Sequence, residues 1–393
     1  MNINNRTYTF AALIAAALML APAAGLADEA TTKVGYKKGF FIQDGDDFLL
    51  RTSARIQSRL TYEKPDEGDD ELFFNLPRVR LAFSGHAFNK DWTYKFQTDF
   101  GKGQASLKDF YVDYAASKGV FHVRVGQQKR PFSRQLINSS SKLVLVDRAL
   151  TTKAFGLGRD IGIVLHNNMT KSPTFAWSLG ILNGASVKSR TEAKINSGET
   201  ADPNATPIDL SGIKSTGKMT NSIDHFEPAI VARVGYNHGK LKGYSEADLE
   251  GGSLRFGIAA GAYATLDLDD SKDAFTKATV DTMLKVSGFA LSGAFYLQMD
   301  QNGEAFSDQK MGLMGAFAQA SYAINGKYVP AARFTWLNDD DADKTTMEIA
   351  GGFSTMLFKH KVKWQTDVAM VTTKVGDASS NDIVARSQLQ FNF

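Results

Sequence analysis

Hydrophobic and polar residues alternate along most of the chain. In the stretch WTYKFQTDF, aromatic residues occupy positions 92, 94, 96 and 100, and Lys95, Gln97 and Asp99 lie between them. The stretch IVARSQLQFNF repeats the alternation, with Leu389 and Phe391 on the apolar side. Because successive side chains of a strand point to opposite faces, each such segment predicts a strand with one apolar and one polar face.

About sixteen segments of this kind follow one another, an even number as expected of a closed bacterial barrel. Their connections are alternately long and short, like the extracellular loops and periplasmic turns of such barrels. One connection, Asn237–Ser253, is too long for a tight turn, and we expect it to contain strand extensions. The predicted fold is therefore all-β, a closed antiparallel transmembrane β-barrel. The predicted strand cores begin near Phe48, Arg78, Trp92, Lys108, Val120, Ile161, Phe175, Phe226, Leu254, Lys277, Phe289, Lys310, Tyr328, Thr345, Lys361 and Ile383.

The N-terminal residues have the features of a secretory signal peptide. Arg6 precedes the apolar run FAALIAAALMLAPAAGLA, which ends in small residues before Asp28. We expect cleavage after Ala27, because the apolar core is short for a membrane anchor. Residues 1–27 are thus predicted to be a signal peptide, residues 28–46 a short periplasmic segment and residues 47–393 the barrel. The aromatic Phe393, in phase with the apolar face, is typical of proteins of the Gram-negative cell outer membrane.

Composition narrows the class of protein further. The chain contains 0 cysteines, which excludes disulfides and cysteine-based metal sites. Its 45 basic and 42 acidic residues nearly balance, which argues against nucleic acid as a partner. The 6 histidines lack the spacing of metal ligands, and no motif marks a nucleophile with its base. We therefore predict no catalytic activity, no metal and no cofactor.

Three arginines recur at every fourth position of the stretch FLLRTSARIQSRLTYE. Arg51, Arg55 and Arg59 would share a face in a helix and in a strand alike, and the surrounding alternation favours the strand. Because an arginine facing lipid at mid-depth costs about 2–4 kcal/mol, the three are predicted to face a water-filled lumen. The same argument turns other basic residues inward: Arg78, Arg80, Lys95, Arg124, Arg233, Lys285, Arg333 and Arg386. In the alternative interpretation, lumenal carboxylates neutralise these side chains, and the available partners are Asp99, Asp109, Asp113 and Asp367.

Positive charge is concentrated between Gln127 and Asp160. This segment has seven basic residues and two acidic ones, Asp147 and Asp160. The basic residues are Lys129, Arg130, Arg134, Lys142, Arg148, Lys153 and Arg159. Such a segment would either attract anions into the lumen or stay outside and contact the phosphates of lipopolysaccharide.

Several stretches resemble the phosphate-selective porin O and P family. They include RVRLAFSGHAFNKDWTYKFQTDFG, LKDFYVDY, LVDRAL and YVPAARFTW, and the most specific pair is VGQQKRPFS followed by GRDIGI. These stretches occur in order between Arg78 and Trp364. The resemblance implies a sixteen-stranded, trimeric, anion-preferring diffusion channel. It also implies that the basic segment, the third extracellular loop, folds into the barrel and narrows it.

The sequence thus predicts a passive outer-membrane porin biased toward small anions, with phosphate as the leading candidate, because guanidinium groups match the geometry of oxyanions. The predicted partners are outer-membrane lipid, lipopolysaccharide and further copies of the chain in a homotrimer. Two other functions stay open: a general or sugar-accepting porin, and a surface adhesin or receptor that uses the insert Ala185–His225. The residues predicted to line the anion path are Arg51, Arg55, Arg59, Arg78, Arg80, Arg124, Lys129, Arg130, Arg134, Lys142 and Arg148.

Overall fold

A computed structural model describes residues 32–37, 39–103, 105–117, 119–184, 228–241, 243–266, 275–301 and 309–393. The predicted signal peptide and the insert Ala185–His225 lie outside these residues. Within the described part of the chain, no helix is long and apolar enough to cross a membrane.

The described residues form eighteen strands in one antiparallel sheet, of which β3 to β18 close into a sixteen-stranded barrel. Strand β18 pairs with β3, from Ile383 opposite Lys64 to Asn392 opposite Arg55, and this pairing closes the ring. The strands are β1 Thr32–Tyr36, β2 Phe40–Asp44, β3 Phe48–Lys64, β4 Glu71–His86, β5 Trp92–Asp99, β6 Ser106–Ser117, β7 Phe121–Lys129, β8 Arg159–His166, β9 Phe175–Leu182, β10 Ala229–His238, β11 Arg255–Thr265, β12 Phe275–Val286, β13 Phe289–Gln301, β14 Gln309–Tyr322, β15 Tyr328–Asp339, β16 Lys344–His360, β17 Val362–Val375 and β18 Ala378–Asn392.

The predicted closed barrel of sixteen strands is confirmed, and the boundaries differ most at two strands. Strand β4 begins at Glu71 rather than near Arg78, because Pro77 lies inside it beside a shift in the pairing register with β3. A proline donates no backbone hydrogen bond, so it is expected at such an irregularity and hides the strand in the sequence. Strand β18 begins at Ala378 rather than near Ile383, because its first residues are polar and show no apolar face.

A short hairpin, β1–β2, precedes the barrel. Strand β2 pairs with the first part of β3, with Phe40 opposite Thr52. Strand β18 ends just there, where Phe393 donates a backbone hydrogen bond to Ala54 at 2.9 Å. Strand β3 is long because it pairs along one edge first with the hairpin and then with β18.

Burial alternates along the barrel strands in the sense expected for a membrane. On β17, Lys363, Gln365 and Asp367 are buried, whereas Trp364 and Val368 are more than half exposed. The apolar face therefore points outward and the polar face points into the barrel. This arrangement places an apolar belt against hydrocarbon and polar groups around the lumen.

Helices among the described residues are confined to short turns between strands. The loop between β7 and β8, residues 130–158, is called L3 below. It contains α1 (Arg134–Ile137), a 3-10 turn (Ser140–Lys142) and α2 (Leu150–Ala154). Two further 3-10 turns are Gly101–Gly103 and Met169–Lys171.

Candidate channel constriction

L3 lies inside the ring of strands, because it contacts inward-facing side chains on distant parts of the wall. Arg233 of β10 donates to the carbonyl oxygen of Phe132 at 2.7 Å. Asp367 of β17 accepts a hydrogen bond from the backbone nitrogen of Val146 at 2.8 Å. L3 therefore crosses the lumen from one part of the wall to another.

Apolar contacts between L3 and the wall fill the side of the lumen next to β10–β17. Phe132, Phe155 and Leu157 of L3 pack with Tyr263 and Tyr296 of the wall. The rings of Phe155 and Tyr296 are stacked, with centroids 5.0 Å apart. A second apolar cluster includes Val144, Leu145, Ala247, Val329, Ala350 and Ala369. Because these side chains are removed from water, the hydrophobic effect holds L3 against the wall, as it stabilises the core of a soluble protein.

A cavity of about 350 Å³ lies on the other side of L3, next to the wall formed by β3–β8. Two hydroxyl groups of L3, those of Ser139 and Ser141, line it. Six basic side chains and one carboxylate, that of Asp109, also line it. The basic side chains are Arg55, Arg80, Lys95, Arg124, Lys129 and Arg159.

Carboxylates neutralise part of this positive charge. Asp99 accepts from Arg80 Nε at 2.6 Å, and Asp113 accepts from Arg124 Nε at 2.7 Å. The third carboxylate, that of Asp109, accepts from Arg159 Nε at 2.7 Å and also pairs with Lys95. Three carboxylates thus face six cations, so the described lining keeps a positive excess.

Arg55 carries the clearest uncompensated charge. Its guanidinium borders the cavity although the residue is only 6% exposed. Among the described residues it has no carboxylate partner; Nη1 donates to Ser139 Oγ at 3.3 Å, and the buried Nε has no partner. Lys129, the other lining cation without a described carboxylate, donates to three backbone carbonyls of L3, including that of Asn138 at 2.8 Å. Arg55, which has spare donors beside the cavity, is therefore the cation best suited to transient contact with an anion.

Asp147 of L3 forms ion pairs with three arginines that do not border the cavity. Its carboxylate lies 3.0 Å from Arg59 Nη1, 3.6 Å from Arg78 Nη2 and 3.2 Å from Arg386 Nη1. Burial by itself would raise the pKa of Asp147, but the nearby charges of Arg59, Lys153 and Arg78 outweigh it and hold the pKa well below its usual range. These arginines anchor L3 to the wall.

Three other residues predicted to line the path fix L3 to the wall or stabilise its fold, namely Arg130, Arg134 and Arg148. Arg130 pairs with Asp160 at 2.7 Å. Arg134 shares Asp281 with Arg233 of β10. Arg148 donates to the backbone carbonyls of Gln135 and Asn138. Lys142 lies in the 3-10 turn of L3, and Arg51 is half-buried on β3 beside the hairpin.

Four of the predicted path residues therefore border the cavity, namely Arg55, Arg80, Arg124 and Lys129. Lys95 and Arg159 border the cavity as well. Lys95 was predicted to face inward and Arg159 to belong to the basic segment, but neither was predicted to line the anion path. Ser139 and Ser141 were missed, because no sequence pattern separates a lumenal serine from a loop serine. For Lys95 the sequence did contain a signal: it alternates with three aromatic residues, so it lies on the opposite, inward face of the strand.

A closed barrel with an apolar outer face, a polar lumen and a loop folded into that lumen defines the porin class of membrane channels. The profile of the family described as "Phosphate-selective porin O and P" matches residues 51–357. The chain belongs to this family.

Similar proteins were found by sequence and by structure. A relative described as an uncharacterized protein of Aquifex aeolicus (strain VF5) is 24% identical over 379 residues, which cover 88% of this chain and 87% of the relative. The anion-selective porin from Comamonas acidovorans is similar in structure, with a TM-score of 0.55, 12% identity, and coverage of 88% of this chain and 99% of that one. The outer membrane channel DcaP of Acinetobacter baumannii gives a TM-score of 0.56 with 12% identity over 94% of this chain and 100% of that one. At these identities the two structures establish the fold alone.

Proposed function

We propose that the protein is a passive channel that favours small anions and that solutes pass through the cavity between L3 and the β3–β8 wall. The observation that carries this proposal is the positive excess of the cavity lining, with Arg55 as its uncompensated member. Positive charge in a confined aqueous space raises the local concentration of anions and lowers that of cations. One solved neighbour is described as an anion-selective porin, which is consistent with this preference.

Oxyanions, with phosphate first among them, are the class of solute that suits this lining. The guanidinium of Arg55 on the wall and the hydroxyl groups of Ser139 and Ser141 on L3 are hydrogen-bond donors that border the cavity close to one another. Such donors match several oxygens of one anion. Since part of the lining charge is neutralised by carboxylates, contacts with an anion are expected to be weak, which allows it to leave again.

A sugar-accepting channel is less well supported. Of the described residues that line the cavity, one is aromatic, Tyr111. Sugar recognition needs apolar ring faces as well as hydrogen bonds, and the described lining offers mainly charge.

Single-channel recording in planar bilayers tests the proposed function. Under a potassium chloride gradient, we expect the reversal potential to shift toward the equilibrium potential of chloride. When phosphate replaces chloride, the reversal potential should still indicate that the anion is the more permeant ion. A large organic cation in place of potassium should change the current little. A reversal potential shifted toward the equilibrium potential of potassium, measured with the folded protein, would refute the proposal.

We further propose that the barrel resides in the outer membrane as a homotrimer, surrounded by lipid and lipopolysaccharide, after removal of residues 1–27. The apolar outer face and the family support this environment. Chemical cross-linking in native outer membranes should yield a species three times the mass of the chain, and N-terminal sequencing should begin at Asp28. A monomer, or an intact Met1, would contradict the respective part.

A further inference from the structure

The connection between β10 and β11 also enters the barrel, and it does so from the end opposite to L3. Connections alternate between the two ends, so this T4 segment (residues 239–254, described except for residue 242) starts at the end of the short turns. It was expected to contain strand extensions, but its described residues contain no strand. Leu241, Tyr244 and Ala247 are each at most 5% exposed. A turn in contact with water would not bury such residues, so T4 contributes to the filling of the lumen.

The second half of T4 is fixed to the wall. Asp248 accepts from Arg255 Nη2 at 2.8 Å and from the backbone nitrogen of Gly288 at 2.9 Å. The carbonyl oxygen of Ala247 accepts from Lys285 Nζ at 2.9 Å. These bonds give the segment a rigid base on β11, β12 and the turn that follows β12.

The tip of T4 meets L3 at Glu246, which is 5% exposed. One carboxylate oxygen accepts from Gln135 Nε2 at 3.0 Å, and the other accepts from the backbone nitrogen of Val144 and from Gln319 Nε2, each at 3.0 Å. The backbone nitrogen of Glu246 donates to the carbonyl oxygen of Lys142 at 3.2 Å. One side chain thus joins T4, two parts of L3 and strand β14.

The same stretch of L3 is held by β17. Lys363 Nζ donates to the carbonyl oxygen of Leu143 at 2.6 Å, and Asp367 accepts from the backbone nitrogen of Val146 at 2.8 Å. Residues 143–146 therefore lie between Glu246 and β17. Their backbone groups bond to side chains because no strand pairs with them, and such groups are costly to leave unpaired when buried.

We propose that Glu246 is a positioning residue that sets the width of the channel by holding L3 from the side opposite to its entry. This inference rests on the proposed function only in assigning the cavity beside L3 as the route. Ser139 and Ser141 line that cavity and lie a few residues before Val144, which Glu246 holds. Release of Val144 would let the lining part of L3 move relative to Arg55.

A carboxylate is required at position 246, because all three groups that face it are donors. A glutamine would turn an amide NH₂ toward one of them. Gln135 cannot compensate by turning its amide over, since its oxygen already accepts from Ala149 and Thr152. Glu246→Gln therefore leaves at least one buried donor unpaired while it keeps the volume of the side chain.

A cysteine reporter tests this inference directly, because the natural chain contains 0 cysteines. Val144→Cys places a thiol at a position that is 1% exposed, and Ser139→Cys places one in the cavity lining. Each is combined with Glu246→Ala, with Glu246→Gln and with the control Glu250→Gln, which changes an exposed carboxylate of the same segment. A water-soluble thiol reagent is then applied to the folded protein in membranes, and channel current is recorded in parallel.

We expect modification of Val144→Cys to become roughly ten-fold faster with either Glu246 substitution, since leaving a buried donor unpaired shifts local opening by about that factor. Ser139→Cys should react readily in every background, and Glu250→Gln should leave all rates unchanged. The open-channel current should become noisier with the Glu246 substitutions only. Unchanged protection of Val144→Cys together with unchanged noise in folded Glu246→Gln would overturn the inference. A cation-preferring wild type with a Glu246-dependent reporter would instead refute the proposed function and leave this inference standing.

Discussion

Replacing Arg55 with glutamine should weaken anion preference without loosening the constriction. Arg55 borders the cavity and contacts L3 through a hydrogen bond to Ser139 Oγ at 3.3 Å, with no carboxylate among the described residues. The substitution therefore removes one positive charge from the lining and leaves the ion pairs that anchor L3 intact. The expected result is a smaller ratio of anion to cation permeability in a channel of similar stability.

The size of the effect follows from the dimensions of the cavity. A sphere of 350 Å³ has a radius of about 4 Å, so an ion at its centre lies roughly 7 Å from a guanidinium in the lining. At that distance in water, the energy between two unit charges is about 0.6 kcal/mol, or roughly a three-fold change in occupancy. Anion occupancy falls and cation occupancy rises, so the permeability ratio changes by roughly ten-fold at low salt and about three-fold at 0.1 M salt.

Reversal potentials in planar bilayers under a potassium chloride gradient measure this ratio. The matched comparison is Arg59→Gln, which removes the same charge from the same strand but breaks the pair with Asp147 at 3.0 Å. We expect Arg59→Gln to increase current noise more than it changes selectivity. Lys344→Gln, at an exposed strand end, controls for net charge. An Arg55→Gln channel with wild-type selectivity, or one no different from Lys344→Gln, would refute the reasoning.

Other consequences concern the attachment of L3. Asp147→Asn should lower the thermal unfolding temperature and increase current noise, because breaking a buried ion pair typically reduces the free energy of unfolding by about 3–5 kcal/mol. A variant as stable as the wild type would contradict this role of Asp147 and show that its arginines find other partners. Gly261→Ala should destabilise the barrel by about 1–3 kcal/mol in chemical denaturation, because the added carbon would lie 2.3 Å from the carbonyl oxygen of Phe132. Gly351→Ala, where nothing lies within 4 Å, is its control, and equal losses would contradict the close approach of L3. Phe155→Ala should cost about 3–5 kcal/mol in the same assay while selectivity stays unchanged, and a change in selectivity would show that the filled side conducts.

The strands could be predicted from the sequence because lipid imposes one rule on all of them. A polar side chain on the outer face is costly, so the period of two persists through strands whose inner residues have nothing else in common. The same rule orients Arg55 and Arg59 toward the lumen. It fails where lipid exerts no constraint, as in hairpin β1–β2 and in the polar start of β18.

The different roles of the lumenal arginines could not be predicted from the alternation of polar and apolar residues. Arg55 and Arg59 have the same strand phase, yet one borders the cavity and the other binds Asp147. That difference depends on where L3 crosses the barrel, which is set by contacts distant in sequence, such as Val146 with Asp367. The paired carboxylates were foreseen as an alternative: Asp99, Asp109, Asp113 and Asp367 each bind a basic side chain.

The inner faces of the two sides of the barrel explain why L3 lies where it does. A barrel of sixteen strands is too wide for wall side chains alone to fill, so a water-filled lumen remains that segments between strands can enter. The wall at β11 and β16 offers Gly261 and Gly352, where an added carbon would meet L3 at 2.3 and 2.7 Å. On the β3–β8 wall, by contrast, six basic side chains border the open cavity, where water or anions can surround them. L3 therefore packs closely against the wall that has these small residues and leaves the cavity beside β3–β8 open, so substitutions on the two sides should affect stability and selectivity separately.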